Sequence, residues 1–295
     1  MSEATLLLEA RNVAKRFDSV VALKAASLQV RPGEVHGLMG SNGAGKSTLV
    51  KIITGVFPAD GGQIFVKGAA RAFRSPAEAR SAGIVSVYQD PALVPDLTVT
   101  ENMRLAGASV DAVRKWLAEL GLTRLDFSLT VRELPYPTLR LIDLARALAS
   151  EPAVLLLDEI TAALPADLSE RIYAMVKHWR ERRNAVIFIS HRMAEVSALC
   201  DRATVLRDGV MVGVTERAHG SEERIVALMM GAETARAVAT VPSTRTSRPT
   251  PRDAQAALEV RGLHCSPLVN DVSFKLYPGE VLGVAALEGQ GQEEL

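Results

Sequence analysis

The chain has 295 residues, 48% hydrophobic and 23% charged, with 34 basic and 34 acidic residues and a formal net charge of zero. That composition suits a soluble globular chain with a full core, and a neutral surface supplies no field to collect nucleic acid. Cys200 and Cys265 lie far apart without CxxC spacing, so they read as inert thiols rather than a disulfide framework or a zinc site.

In chain order, MSEATLLLEARN has an early acid and a three-residue apolar run, which does not make a signal peptide. No later apolar run approaches the ~18 residues needed to cross a bilayer. Val35–Met39 reads as a strand running into a Gly-rich turn and a helix from near Lys46. Ile84–Tyr88 reads as a second strand. Over Thr138–Ala149, Leu141, Ile142, Ala145 and Leu148 share one helical face. Val154–Leu157 and Val186–Ile189 read as short strands buried on both faces. Thr204–Leu206, Arg207-Asp208-Gly209 and Val210–Val212 read as a hairpin. Strands alternating with helices predict an α/β fold around a parallel sheet.

Residues 236–256 are rich in Pro, Ser, Thr and Arg and lack an apolar period, which reads as a solvated linker. After it the chain starts again. LEARNV at 8–13 returns as LEVRGL at 258–263, and RPGEVHG at 31–37 returns as YPGEVLG at 277–283. The expected organisation is one domain at 1–235, the linker, and the opening of a second copy at 257–295.

Gly40-Ser41-Asn42-Gly43-Ala44-Gly45-Lys46-Ser47 fits GxxxxGK[ST] between a strand and a helix, the context of a phosphate-binding P-loop. Its glycines let the backbone curl around phosphate oxygens. Lys46 would reach the β- and γ-phosphates and Ser47 would ligand Mg²⁺, with Thr48 next in the same helix turn. Asp158-Glu159 closes an apolar run. A carboxylate there needs a cationic partner, which Mg²⁺ supplies for Asp158, and Glu159 would polarise the attacking water. Gln89 and His191 end two further strands at the edge where such sheets bind ligands.

GSNGAGKST, VYQD, LARALASEPAVLLLDEITAAL and FISHRM, in that order, resemble an ABC-transporter ATPase over nearly all of residues 5–232. The resemblance implies a mainly parallel sheet core with flanking helices, an antiparallel β subdomain and a helical subdomain, although Glu101 to Leu134 is short for the latter. It implies ATP and Mg²⁺, with Phe17 stacking on adenine and His191 sensing the γ-phosphate as a catalytic residue. Gln89 would stand near Mg²⁺ and near the surface that meets membrane subunits. Within the family, PALVPDLTVTEN, DEITAAL and the linker with its repeat look like the two-domain ATPases of bacterial importers for simple sugars of the ribose, galactose and arabinose type. That implies transmembrane permease subunits, an indirect substrate-binding protein, a second ABC domain in cis or trans, no nucleic acid, and a peripheral position on the cytoplasmic face of the bacterial inner membrane. The alternative expectation is a truncated nucleotide-binding module without ATPase activity of its own.

The family's LSGGQ-like signature falls on Leu134-Pro135-Tyr136-Pro137-Thr138, where the prolines supply neither hydroxyl nor N–H. In the family, each signature covers ATP held by the other domain. In the second copy, Gln292, Glu293 and Glu294 stand where the first has Lys46, Ser47 and Thr48. The two defects would meet in one composite site.

Overall fold

Leu8, Ala10 and Val13 on strand β1 (Leu8–Phe17), and Leu23, Ala26, Leu28 and Val30 on β2 (Val20–Val30), are all at most 1% exposed, and the two strands pair antiparallel. One buried face on an antiparallel pair is what such near-alternation encodes. The computed structural model describes residues 6–162, 164–216, 218–231, 255–265 and 269–284. They fall in two compact units, Met1–Ala239 and Thr240–Leu295. Residues 236–254 of the expected linker lie outside the described residues, as do 285–295.

The first unit continues with β3 (Val35–Met39), α1 (Lys46–Ile53), β4 (Gly61–Val66), β5 (Ala69–Arg71), α2 (Pro76–Ser81) and β6 (Ile84–Val87). Next come α3 (Val99–Leu105), α4 (Val110–Glu119), α5 (Tyr136–Leu148), β7 (Val154–Asp158), α6 (Ala166–Glu181) and β8 (Ala185–Ile189). It closes with α7 (Met193–Leu199), β9 (Arg202–Arg207), β10 (Val210–Thr215) and α8 (Glu222–Met230). The sheet order is β5-β4-β1-β2-β10-β9-β3-β8-β7-β6. Strands β9, β3, β8, β7 and β6 run parallel, and β5, β4, β1 and β2 are antiparallel neighbours.

Alternate residues of the central strands feed cores on opposite faces. Leu155, Leu157, Val186 and Phe188 join a cluster with α3 to α6, including an edge-to-face Trp116–Trp179 pair with centroids 5.5 Å apart. Val154, Leu156, Ile187 and Ile189 join a cluster with β1, β2 and α1. A strand buried on both faces must be apolar at every position, which is why these runs do not alternate. The 204–212 hairpin is present as β9–β10, with Asp208 (φ 52°) and Gly209 (φ 75°) in the left-handed turn region.

Several boundaries differ from expectation by a few residues, and two of them flank the site. The strand expected to reach Tyr88 ends at Val87. Helix α5 starts at Tyr136 rather than Thr138, with Pro135 as N-cap and Pro137 in the first turn. First-turn N–H groups have no intrahelical acceptor, so a proline there sacrifices no bond. The turn closes with Leu139 N–H donating to the Pro135 carbonyl at 3.2 Å.

In the second unit, β11 (Leu258–Cys265) and β12 (Val269–Leu276) form an antiparallel hairpin.

Candidate functional site

The P-loop links the buried strand β3 to α1, and two hairpins frame it. A Cβ on Gly45 (φ 103°) would lie 2.5 Å from Leu23 Cδ2 and 2.8 Å from the Ala22 carbonyl oxygen. On the other side, Gly209 N–H donates to the Ala44 carbonyl at 3.1 Å. These close approaches require glycine and lock the loop's course. Gly43 (φ 80°) has nothing within 4 Å of its Cβ direction, so the cradle is open there. Ser41, Asn42 and Ser47 are exposed and Thr48 is half-buried.

Helix α1 has no side-chain cap and no acid in its first turn, which leaves its N-terminal N–H groups and positive dipole end for an anion. The Lys46 ammonium donates to the carbonyls of Gly40 (2.7 Å) and Ser41 (3.1 Å). Burial lowers its pKa, and the fields of Asp158 and Glu159 oppose that. The Asp158 carboxyl is pushed up, first by burial and then by Glu159, against the pull of Lys46. A carboxylate disfavoured by burial and by its acidic neighbour, beside an open anion cradle, fits a nucleotide phosphate with a divalent cation. Among the described residues no group of three or more His, Cys, Asp or Glu could hold a metal alone. Mg²⁺ bound through phosphates, one carboxylate and a hydroxyl needs no such cage.

Glu159 has φ 47°, a left-handed conformation that costs a non-glycine residue about 1–3 kcal/mol. Its N–H donates to the Ile189 carbonyl at 3.0 Å, and its Oε1 lies 2.9 Å from Nδ1 of His191. Parallel pairing of Asp158 with Ile189 brings the acid pair and the histidine together from separate strand ends. Gln89 follows β6 with its side chain exposed and its carbonyl accepting from the Tyr136 hydroxyl at 3.1 Å. Phe17, at the end of β1, is 37% exposed, with Phe57 edge-on at 5.2 Å between centroids.

Two groups at this site were not singled out in the sequence. Arg140, inside α5, is 1% exposed; its guanidinium donates to the carbonyls of Tyr88 (2.8 Å), Gln89 and Glu159 (2.5 Å). Glu195, also buried, accepts from Thr161 Oγ1 (2.7 Å), Ser190 Oγ (2.6 Å) and the Tyr173 hydroxyl (3.1 Å). It thereby fixes the residue before His191 and a residue just after Glu159. Burial pushes the Tyr173 phenol up to about 12, so it stays a donor. A charged residue inside an apolar helical pattern, as in LRLID, was the available signal for Arg140. Glu195 carried none, because two of its partners, Thr161 and Tyr173, come from segments far away in sequence.

A groove of about 770 Å³ opens beside the Gln89 turn, lined by residues including Pro76, Arg80, Tyr88, Ala92, Ser109 and Arg146.

Residues 23–162 match the family model described as ABC transporter. The chain is 36% identical over 300 residues to the ribose import ATP-binding protein RbsA 1 of Rhizobium johnstonii, covering 98% of this chain and 57% of that protein. It is 40% identical over 300 residues to the protein of the same name from Rubrobacter xylanophilus, covering 98% and 58%. The chain thus spans somewhat more than half the length of these curated relatives. Among solved structures, a nucleotide-free ATP-binding cassette from an ABC transporter superposes with a TM-score of 0.67 at 26% identity, over 77% of this chain and 99% of that one. The ADP conformation of MJ1267, an ATP-binding cassette of an ABC transporter, gives 0.66 at 26% identity, over 80% and 99%.

Proposed function

From the premise that this chain belongs to the ABC-transporter ATP-binding family, we propose that it binds and hydrolyses ATP as the energy-coupling subunit of an importer for a simple sugar. One observation carries the reading. The P-loop, the Asp158-Glu159 pair and His191 converge on one sheet edge, with Lys46 in the field of both acids and His191 Nδ1 2.9 Å from Glu159 Oε1. Sugar as cargo is supported by the ribose-import relatives alone.

In this reading, Gly40 to Thr48 wrap the triphosphate, Lys46 meets the β- and γ-phosphates, and Phe17 stacks on adenine. Ser47, Asp158 and Gln89 would hold Mg²⁺, which supplies charge neutralisation to the phosphates when bound. Glu159 orients a water for attack on the γ-phosphorus, and His191 holds Glu159 in place and meets the γ-phosphate. The P–O bond to the ADP oxygen breaks as the water's oxygen bonds to phosphorus, giving ADP and inorganic phosphate.

The partners proposed are transmembrane permease subunits, a substrate-binding protein reached through them, and a second ABC domain. No helix among the described residues is long and apolar enough to cross a membrane. By likeness to the ribose-import ATP-binding relatives, a peripheral place on the cytoplasmic face of the bacterial inner membrane is proposed, with the groove beside Gln89 as the face toward the permease. Pro135 and Pro137 start α5 without presenting a phosphate donor, and in sequence Gln292, Glu293 and Glu294 replace Lys46, Ser47 and Thr48 of the first copy. Phosphate release from ATP, measured with and without Glu159→Gln, tests the reading. Saturable release lost in the variant supports hydrolysis at this site. ATP binding with no release from the parent protein would favour the nucleotide-binding module instead.

A further inference from the structure

We propose that Arg140 is a positioning residue for ATP hydrolysis, tying the backbone of the Gln89 turn to the backbone of Glu159; its catalytic consequence rests on the ATPase reading above. The two segments leave separate strands, β6 and β7, and Arg140 donates to both. Its Nη1 reaches the carbonyls of Tyr88 (2.8 Å) and Gln89, and its Nη2 reaches that of Glu159 at 2.5 Å.

A guanidinium that is 1% exposed and bonded to carbonyls rather than carboxylates is costly to bury. Burial lowers its pKa, and its Nε has no partner among the described residues. An apolar side chain would pack this helix more cheaply. What the arginine adds is geometry: its planar fork spans two loops at once, and one of them carries Glu159 in a strained conformation.

The rest of α5 grips the same turn. The Tyr136 hydroxyl donates to the Gln89 carbonyl at 3.1 Å. Asp143 Oδ2 accepts from Ala92 N–H at 3.3 Å, and Arg146 Nη1 donates to the Ala92 carbonyl at 2.7 Å. The helix that begins at the altered LPYPT motif therefore serves as a strut inside its own domain. A displacement of the Gln89 turn would reach Glu159 through one side chain.

The test uses the full chain with Arg140→Met, Arg140→Lys and Tyr136→Phe, read by hydrogen exchange and by ATPase kinetics. In Arg140→Met, amides of 88–92 and of 159–162 should exchange about tenfold faster together, with α1 unchanged. The kcat should fall ~10–100-fold with KM for ATP within about threefold, as for a misplaced rather than a missing group. Lysine keeps the charge but not the fork, so Arg140→Lys should loosen at least one segment and lower kcat. Tyr136 is 40% exposed, so Tyr136→Phe should fold normally, loosen 88–92 alone, and lower kcat by about threefold. If Arg140→Met fails to fold, Arg140→Lys and Tyr136→Phe decide. Folded variants with unchanged exchange in both segments, or with unchanged kcat, overturn the proposal. A parent protein that hydrolyses no ATP defeats the ATPase reading instead, and exchange in the two segments still decides whether the strut exists.

Discussion

The hairpins β1–β2 and β11–β12 share their local hydrogen bonds and differ in what covers them. Leu8 faces Val30 in the first, and Leu258 faces Leu276 in the second. Glu9 pairs with Arg11 at 2.7 Å, and Glu259 with Arg261 at 2.8 Å. Asn12 N–H donates to Ser27 Oγ at 2.9 Å, and Gly262 N–H to Ser273 Oγ at 2.9 Å. Arg31 N–H donates to Glu34 at 2.7 Å, and Tyr277 N–H to Glu280 at 2.9 Å. Yet Leu8 is fully buried and Leu258 is 48% exposed. The repeated residues specify register, a bulge and a turn from short-range chemistry. Burial comes from the sheet and helices packed beneath the first copy.

The largest effect expected from that contrast is on turnover. If hydrolysis belongs to the first copy alone, Glu159→Gln should lower kcat by about 10³-fold while ATP affinity changes little. Residual turnover above a tenth of the parent's, in a phosphate-release assay, would place hydrolysis elsewhere.

The next effect separates the hairpins by packing. Leu28 is 1% exposed, and Leu28→Ala should destabilise the first unit by about 2–5 kcal/mol. Phe274, its counterpart, is only half-buried, and Phe274→Ala should cost about 1 kcal/mol or less. Chemical unfolding of the two variants checks this. Equal losses would show that the second hairpin is covered as the first is.

The smallest effect concerns the acids of the first copy. Burial and the neighbouring Glu159 disfavour the Asp158 carboxylate. Asp158→Asn should therefore raise the melting temperature of the nucleotide-free protein by about 2–4 °C while weakening its Mg²⁺-dependent ATP binding. A lower melting temperature would mean that Lys46 already compensates the charge.

These contrasts track what could be read from residues in order. The P-loop, the buried strands and the repeat were legible because each rests on short-range pattern: glycines at a strand–helix junction, unbroken apolar runs, and short motifs such as PGEV that return later in the chain. The start of α5 was not. Pro135 and Pro137 look like helix breakers until their place in the first turn is known. Arg140 and Glu195 were missed because their meaning lies in partners from distant segments, such as Gln89 and Glu159 for the first and Thr161 and Tyr173 for the second. The altered residues Gln292, Glu293 and Glu294 lie outside the described residues, and the contrast with Lys46 to Thr48 remains one of sequence.

We propose that the first P-loop binds ATP and that the sequence from Gln292, lacking its lysine, does not. Calorimetric titration with Mg²⁺ and ATP, on the parent chain, Lys46→Ala and Gln292→Ala, tests it most directly. One ATP per chain is expected, with binding weakened by about 100-fold or more in Lys46→Ala and unchanged in Gln292→Ala. Two ATP per chain, or binding that survives Lys46→Ala, would contradict it.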